Sequence, residues 1–130
     1  KSPGSVTGPG KTNYQAIRVA QSVIKLPPRA TWGKKVPVGT MMREITDGTS
    51  NTAMVVETND TKSVIWTKPD DLLPDTKDPA KGMRGLRRNG FSVLMSDGSV
   101  RFLSDRVDAR VLKAIFTRNG GEAFGVNQLR

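Results

Sequence analysis

The stretch FSVLMSDGSVRFLS, residues 91–104, decides the fold because it has the pattern of two strands joined by a tight turn. Asp97-Gly98 between alternating apolar and polar residues is typical of a two-residue type I′ hairpin. Such a turn would place Met95 opposite Val100. We therefore predict that one face of the hairpin is wholly apolar and lies on a core, and that it consists of Phe91, Val93, Met95, Val100 and Phe102.

The following segment, DRVDARVLKAIFTRNGGE (105–122), has the pattern of an amphipathic helix. Asp105 or Asp108 can cap its start, and Asn119-Gly120-Gly121 is a typical stop signal. Apolar side chains recur at helical spacing, at Val111, Leu112, Ile115 and Phe116. We predict a helix over 108–118 that covers the apolar face of the hairpin, and hence an α+β fold with an antiparallel sheet.

A second dense turn lies upstream in ITDGTSNTAMVVET (45–58). Asp, Asn, Ser and Thr side chains bond nearby backbone amides in turns, and Gly accepts a positive φ. The residues after this turn predict a strand at 52–58, SVIWT (63–67) predicts another, and a hairpin with a longer loop is the expected connection. We interpret both Asp-Gly turns as structural rather than catalytic or metal-binding, which assigns turn roles to Asp47, Gly48, Asn51, Asp97 and Gly98.

The rest of the chain has weaker signals. Residues 1–12 are rich in Gly, Pro and Ser and predict a flexible lead-in to a single domain at 13–130. The segment NYQAIRVAQSVIKL (13–26) fits either a helical stripe or a strand, and periodicity alone does not decide between them. Residues 27–44 predict irregular structure with a short strand near 36–38.

Residues 67–89 form a long segment without a clear period, and their charge is polarised. The aspartates at its start could supply oxygen ligands to calcium, but solvation is the expected fate of loop carboxylates, so we expect no metal and no cofactor. Their positions are Asp70, Asp71, Asp75 and Asp78. The cations that follow could contact phosphate, sulfate or carboxylate groups; these candidate anion contacts are Lys81, Arg84, Arg87 and Arg88.

The composition excludes several classes of site. The chain of 130 residues has the size of one domain and contains no His and no Cys, which rules out catalytic arrangements that need either residue and Cys/His zinc sites. The net charge of +9 favours anionic partners, but the aromatic content of 5% is low for base stacking. Trp32 and Trp66 could form a sugar platform, although we expect them in the core. No stretch approaches the roughly 20 apolar residues of a membrane span.

Two stretches together indicate a family. ITDGTSNTAMVVE (45–57) and GFSVLMSDGSVRFLSDRVDARVLKAIFTRNGGE (90–122) resemble the C-terminal region of a large, mainly planctomycete family of prepilin-like proteins of unknown function, also grouped with bacterial solute-binding proteins. Trp66-Thr-Lys-Pro69-Asp-Asp71-Leu72 is similar to the family's Trp-x-x-Pro-x-Asp element, and Thr12-Asn13-Tyr14 matches a weaker upstream element. The resemblance covers 45–122 strongly and 12–44 loosely.

The resemblance implies a pilin-like start with a processing site and a hydrophobic helix that exports and anchors the protein, followed by a β-rich periplasmic or surface head. On that basis we expect this chain to be the C-terminal part of a longer protein, and its sheet to be pilin-head-like. The family signature is a His, nine residues, and then Asp-Gly. Counting back from Asp97, Arg87 occupies the position of that His.

We therefore expect a non-enzymatic pilin- or pseudopilin-like structural or assembly protein at the bacterial periplasm or cell surface. Other subunits of the assembly are the expected partners, and contact with a membrane is expected only through the missing N-terminal helix. The strand near 52–58, as an edge strand, or the segment 13–26 should lie in the interface. The alternative is a basic module that binds anionic glycans or solutes through the four candidate anion contacts. Nucleic-acid binding is a second alternative, which we do not favour.

Overall fold

The computed structural model describes residues 2–25, 39–68 and 70–121. Within these ranges the strands are β1 (Lys11–Thr12), β2 (Tyr14–Ala16), β3 (Ala53–Glu57), β4 (Val64–Ile65), β5 (Gly90–Met95) and β6 (Val100–Ser104). One α-helix, α1, spans Ala109–Phe116, and single 3₁₀ turns lie at Met42–Glu44, Thr49–Asn51 and Asp60–Lys62. The strand expected near 36–38 and Trp32 lie outside the described residues.

The main sheet has four antiparallel strands in the order β2-β3-β5-β6, and β1 pairs separately with β4. With the helix that follows β6, this confirms the α+β class and the antiparallel sheet. The segment 13–26 begins as a strand, since Tyr14 pairs with Glu57 and Ala16 with Val55.

The expected hairpin between the strands at 52–58 and 63–67 does not form. Strand β3 lies inside the sheet with β2 on one side and β5 on the other, so both of its backbone edges are already paired. Strand β4 pairs instead with β1, where Thr12 is opposite Val64. The same topology shows that β3 is not an edge strand, which corrects the expectation that an edge near 52–58 forms an interface.

The β5–β6 hairpin forms, but its turn differs from the predicted one. The N–H of Gly98 donates to the carbonyl of Met95 at 3.0 Å, and the N–H of Met95 donates to the carbonyl of Ser99 at 2.8 Å. The loop therefore contains three residues and ends in Gly98 at φ +86°. A type I′ turn needs positive φ at two consecutive residues. Asp97 does not adopt a positive φ, so Gly98 alone supplies it, as in a type I turn followed by a bulge.

This turn shifts the register by one residue, and Leu94 rather than Met95 faces Val100. A one-residue shift turns every side chain of a strand to the opposite face. Leu103 is thus buried at 1% exposure, whereas Val100 and Phe102 are 69% and 54% exposed. The prediction of a single apolar face is correct for β5, where Phe91, Val93 and Met95 are buried, and wrong for Val100 and Phe102.

Helix α1 covers the inner face of the sheet. Its first turn is capped by Asp108, whose carboxylate accepts the N–H of Arg110 at 2.7 Å. The helix confirms the predicted one, with both ends a residue or two shorter. Its buried side chains share one cluster with those of β5; the largest members are Phe91, Met95, Leu112, Ile115 and Phe116. Burying each side chain of this size contributes about 1.5–3 kcal/mol, which holds the helix on the sheet.

Candidate functional site

The turn around Asp47 joins two distant parts of the chain. Its carboxylate accepts the backbone N–H groups of Gly120 at 2.7 Å and Gly121 at 2.9 Å. Gly48 adopts φ +93°, and the side-chain amide of Asn51 donates to the carbonyl of Asp47 at 3.0 Å. These three turn residues thus organise backbone, and the Asp47 carboxylate is occupied by the segment that follows α1.

The two Asp-Gly turns contact each other at one end of the sheet. The N–H of Ser96 donates to the carbonyl of Thr52 at 2.8 Å, and the N–H of Asp97 donates to that of Thr49 at 3.1 Å. The Asp97 carboxylate accepts both the backbone N–H and the hydroxyl of Ser99, and these hydrogen bonds lower its pKa. The polar groups of both turns are therefore used to hold the turns in place.

The candidate anion contacts divide into two kinds. Arg84 donates to the Asp78 carboxylate at 2.6 Å and to the carbonyl of Asp105 at 3.0 Å. Arg87 pairs with Glu57. The side chains of Lys81 and Arg88 make no hydrogen bond or ion pair within the described part of the chain. Two of the four predicted cations are thus engaged by partners of opposite charge or by backbone.

Glu57 is the most deeply buried charged residue of this region, at 1% exposure. Its two carboxylate oxygens accept Nε of Arg87 at 2.5 Å and Nη2 of Arg87 at 2.9 Å, and it also accepts the hydroxyl of Ser2 and the N–H of Ser92. Burial raises the pKa of Glu57, but the hydrogen bonds from Arg87 and Ser2 outweigh burial and keep the pKa below its ordinary value. A buried carboxylate that accepts this many hydrogen bonds, two of them from one guanidinium, is typical of an ion pair that stabilises the fold.

The described part of the lead-in is attached to the sheet by polar contacts. Ser2 is buried at 2% exposure beside Glu57. The hydroxyl of Ser5 donates to Asp60 at 2.6 Å, and the side-chain amide of Asn13 donates to the same carboxylate oxygen at 2.9 Å. Residues 11 and 12 then form β1. Ser2 and Ser5 therefore attach this segment to the domain, while Val6 between them and β1 is 87% exposed.

Strand β6 lies at an edge of the main sheet, and its outer backbone can form further hydrogen bonds. Hydrogen-bonded pairs alternate along an antiparallel ladder, and the bonds at Met95–Ser99 and Asp105–Asn89 set their positions. Arg101 therefore bonds towards β5, while the N–H and C=O groups of Val100 and Phe102 are directed away from the sheet. No hydrogen bond involves those groups among the described residues outside the β5–β6 pairing. We call the outward backbone of Val100 and Phe102, with their exposed side chains, the β6 edge.

Sequence reasoning missed the β6 edge and placed the interface at 52–58 or 13–26. The signal that could have found it is the Asp-Gly-Ser turn, because a three-residue loop is compatible with the same residues and exposes Phe102 instead of Leu103. Trp66 is also 65% exposed, so its expected place in the core is wrong. In the segment 13–26, the other predicted interface, Tyr14 is 45% exposed on the outer face of the sheet, opposite Glu57.

The four aspartates of the segment 67–89, which could have bound calcium, do not form one cluster. Asp75 accepts the N–H groups of Lys77 and Asp78, and Asp78 pairs with Arg84. No group of three or more metal-ligating side chains occurs within residues 2–25, 39–68 and 70–121. In the same ranges, no helix combines the length and the hydropathy needed to cross a membrane.

Comparison with known proteins finds no matching family model, no matching curated protein and no matching solved structure. The resemblance of the two turn-containing stretches therefore rests on the residues quoted for it. The function has to be inferred from the arrangement of the side chains and from the exposed backbone.

Proposed function

We propose that this protein is a non-enzymatic assembly component, and that another protein subunit extends its sheet by adding a strand along the β6 edge. The observation that carries the proposal is the outward backbone of β6, which pairs with no other strand among the described residues, together with the 54% exposure of Phe102. An exposed edge strand presents a row of donors and acceptors that a second extended chain can complete.

The partner segment has a defined chemistry. An added strand would form backbone hydrogen bonds with Val100 and Phe102, and its apolar side chains at alternate positions would cover their exposed side chains. Nη1 of Arg101, on the same strand, is buried and has no hydrogen-bond partner among the residues that the structure describes, so a carboxylate in the added strand would stabilise it. Because the chain carries a net charge of +9, a second copy is repelled, which favours an acidic segment of a different subunit.

A non-enzymatic role is supported by the fate of the polar residues that could carry chemistry. Asp47 and Asp97 bind backbone amides, and Glu57 is enclosed by Arg87 and Ser2. The location at the periplasm or cell surface is part of the same proposal and is supported by the resemblance to prepilin-like proteins. In that setting the domain would be the head, and β6 the strand through which neighbouring subunits join.

Amide hydrogen exchange tests the β6 edge directly. In the protein alone, the amides of Val100 and Phe102 should exchange rapidly, while those of Arg101 and Leu103, which bond to β5, are protected. The probe is a short acetylated peptide of alternating Glu and Val, which should slow exchange at Val100 and Phe102. A peptide with the same side chains but N-methylated backbone cannot complete the ladder and is the matched control.

Substitutions of Phe102 in the β6 edge test strand addition in a second way, with the same exchange measurement. Phe102→Pro removes one outward N–H and is compatible with an edge position, so it should abolish protection by the peptide while the fold is kept. Phe102→Leu keeps the N–H and should retain binding. Protection of both amides before the peptide is added, or equal binding of the N-methylated peptide, would contradict strand addition.

A further inference from the structure

Two clefts lie side by side on the surface formed by the loop after β2 and the end of α1. The cationic cleft has a volume of about 360 Å³ and is lined by Arg18, Lys25 and Arg118 together with Ser22 and Ile24. The apolar cleft has a volume of about 330 Å³; its apolar wall consists of Val19, Pro74, Pro79 and Phe116, and its polar lining residues are Asp75, Thr76, Lys113 and Thr117. Each is within the size range of small-ligand sites in proteins.

The two clefts are adjacent. Val19 lines both of them. On one wall Arg18 of the cationic cleft precedes Val19, and on the other Thr117 of the apolar cleft precedes Arg118. Consecutive Cα atoms are about 3.8 Å apart, and the walls of the two clefts are formed by consecutive residues. A ligand of a few carbon atoms can therefore reach from one cleft to the other.

The cationic cleft has an excess of positive charge. Lys25 pairs with Glu44 at 2.6 Å, and the hydrogen bond from Lys25 keeps the pKa of Glu44 below its ordinary value. The guanidinium of Arg18 makes no hydrogen bond or ion pair within the described ranges. Among the described residues, three cations and one carboxylate therefore give the cleft an excess of two positive charges.

Arg118, which lines the cationic cleft, is oriented by hydrogen bonds to the segment after β2. Its N–H donates to the carbonyl of Gln21 at 2.9 Å, and its Nη1 donates to the carbonyl of Ser22 at 2.8 Å. Its Nε is buried and has no hydrogen-bond partner among the described residues, so water does not solvate this nitrogen. A positive charge that is fixed and poorly solvated is stabilised by a nearby anion more strongly than a charge on a freely hydrated surface.

We propose that the two clefts together bind a small amphiphilic carboxylate, with the carboxylate between Arg18 and Arg118 and the hydrocarbon part beyond Val19 against Phe116. A purely inorganic anion would use only the cationic cleft, and a neutral hydrocarbon only the apolar one. Neither cleft is lined by Val100 or Phe102, so the site does not depend on strand addition.

The probes are acetate, hexanoate, hexylammonium and inorganic phosphate, titrated against the full chain and followed by amide chemical shifts. Hexanoate should shift the amides of Ser22 and Thr117, one on each cleft, and bind at least about tenfold more tightly than acetate because its chain removes apolar surface from water. Hexylammonium has the same chain with the opposite charge and should leave the amide of Ser22 in the cationic cleft unshifted, even where its ammonium group contacts Asp75 of the apolar cleft. Phosphate or acetate binding as tightly as hexanoate would overturn the proposal.

Single variants separate the two clefts. Arg18→Gln should weaken hexanoate binding by about fivefold, whereas Arg106→Gln removes the same charge from an exposed position outside both clefts and should have no effect. Thr76→Trp fills the apolar cleft and should remove the advantage of hexanoate over acetate without changing acetate binding. Equal weakening by Arg106→Gln would show general attraction to a basic surface, and an unchanged hexanoate advantage in Thr76→Trp would exclude the apolar cleft.

Discussion

Arg87 and Glu57 form a two-point ion pair that joins the segment before β5 to the end of β3, with Nε–Oε2 and Nη2–Oε1 distances of 2.5 and 2.9 Å. Arg87 is the residue at which the resembled family has its signature His. An arginine stays charged at every physiological pH and matches both carboxylate oxygens, so the pair does not depend on the protonation of an imidazole. The departure from the family pattern therefore coincides with a buried carboxylate that needs a permanent cation.

Removing the cation of this pair should destabilise the fold. Arg87→Met leaves the Glu57 carboxylate buried without its main partner, and we expect the free energy of unfolding to fall by about 3 kcal/mol, measured by urea denaturation. Arg84→Met is the control, because its pair with Asp78 is exposed by more than 40% on both sides and should contribute at most about 1 kcal/mol. Equal losses in the two variants would contradict a buried role for Glu57.

The ion pair of Arg87 and Glu57 also predicts that the free energy of unfolding depends on pH. The pKa of Glu57 in the folded state lies below its ordinary value of 4.5, so the unfolded chain takes up the proton first as the pH falls. The stabilisation is complete above about 4.5 and is lost as the pH falls through the folded pKa. Glu57→Gln should therefore unfold with a flatter pH profile in this acidic range. Identical profiles for the two proteins would show that another carboxylate is responsible.

The conformation of Gly98 predicts a cost for any side chain there. At φ +86°, with no atom within 4 Å of an added Cβ, Gly98→Ala is disfavoured by backbone conformation alone, by about 1–2 kcal/mol. Gly98→Asn should cost less, because asparagine tolerates the left-handed region. Gly8→Ala is the control, since Gly8 has open space and an ordinary φ. Thermal unfolding of the three variants measures the difference, and a neutral Gly98→Ala would contradict the three-residue turn.

Because the Asp47 carboxylate binds Gly120 and Gly121, we expect a substitution of Asp47 to affect this segment, which lies more than 70 residues away in sequence. Asp47→Ala leaves the N–H groups of Gly120 and Gly121 without their acceptor; because both groups are exposed to water, the loss should cost only about 0.5–1.5 kcal/mol, but it should raise hydrogen exchange at both glycines. Asp47→Asn keeps one acceptor oxygen and should have a smaller effect. If exchange at these glycines stays unchanged in Asp47→Ala, the contact does not hold the segment in solution.

Local patterns were sufficient for part of the structure. The spacing from Val111 to Phe116 and the capping Asp108 predict α1, and the alternation in β5 predicts its buried residues, because each depends on residues close in sequence. The partners of β3 could not be predicted in the same way. Its neighbours β2 and β5 lie more than 30 residues away on either side, and several pairings would bury its apolar residues equally well.

The same difference between local patterns and long-range contacts applies to the candidate site. The sequence by itself determined the fold class, the helix and the positions of the two Asp-Gly turns, since these depend on periodicity and on the conformations open to a few consecutive residues. Only the tertiary structure decided which face of β6 is buried, because Asp97-Gly98 fits two loops that differ by one residue and the packing of Leu103 selects one of them. It likewise decided that Arg87 serves Glu57 and that Arg18 and Arg118 share one cleft, because residues 30 and 100 positions apart meet only when the chain is folded.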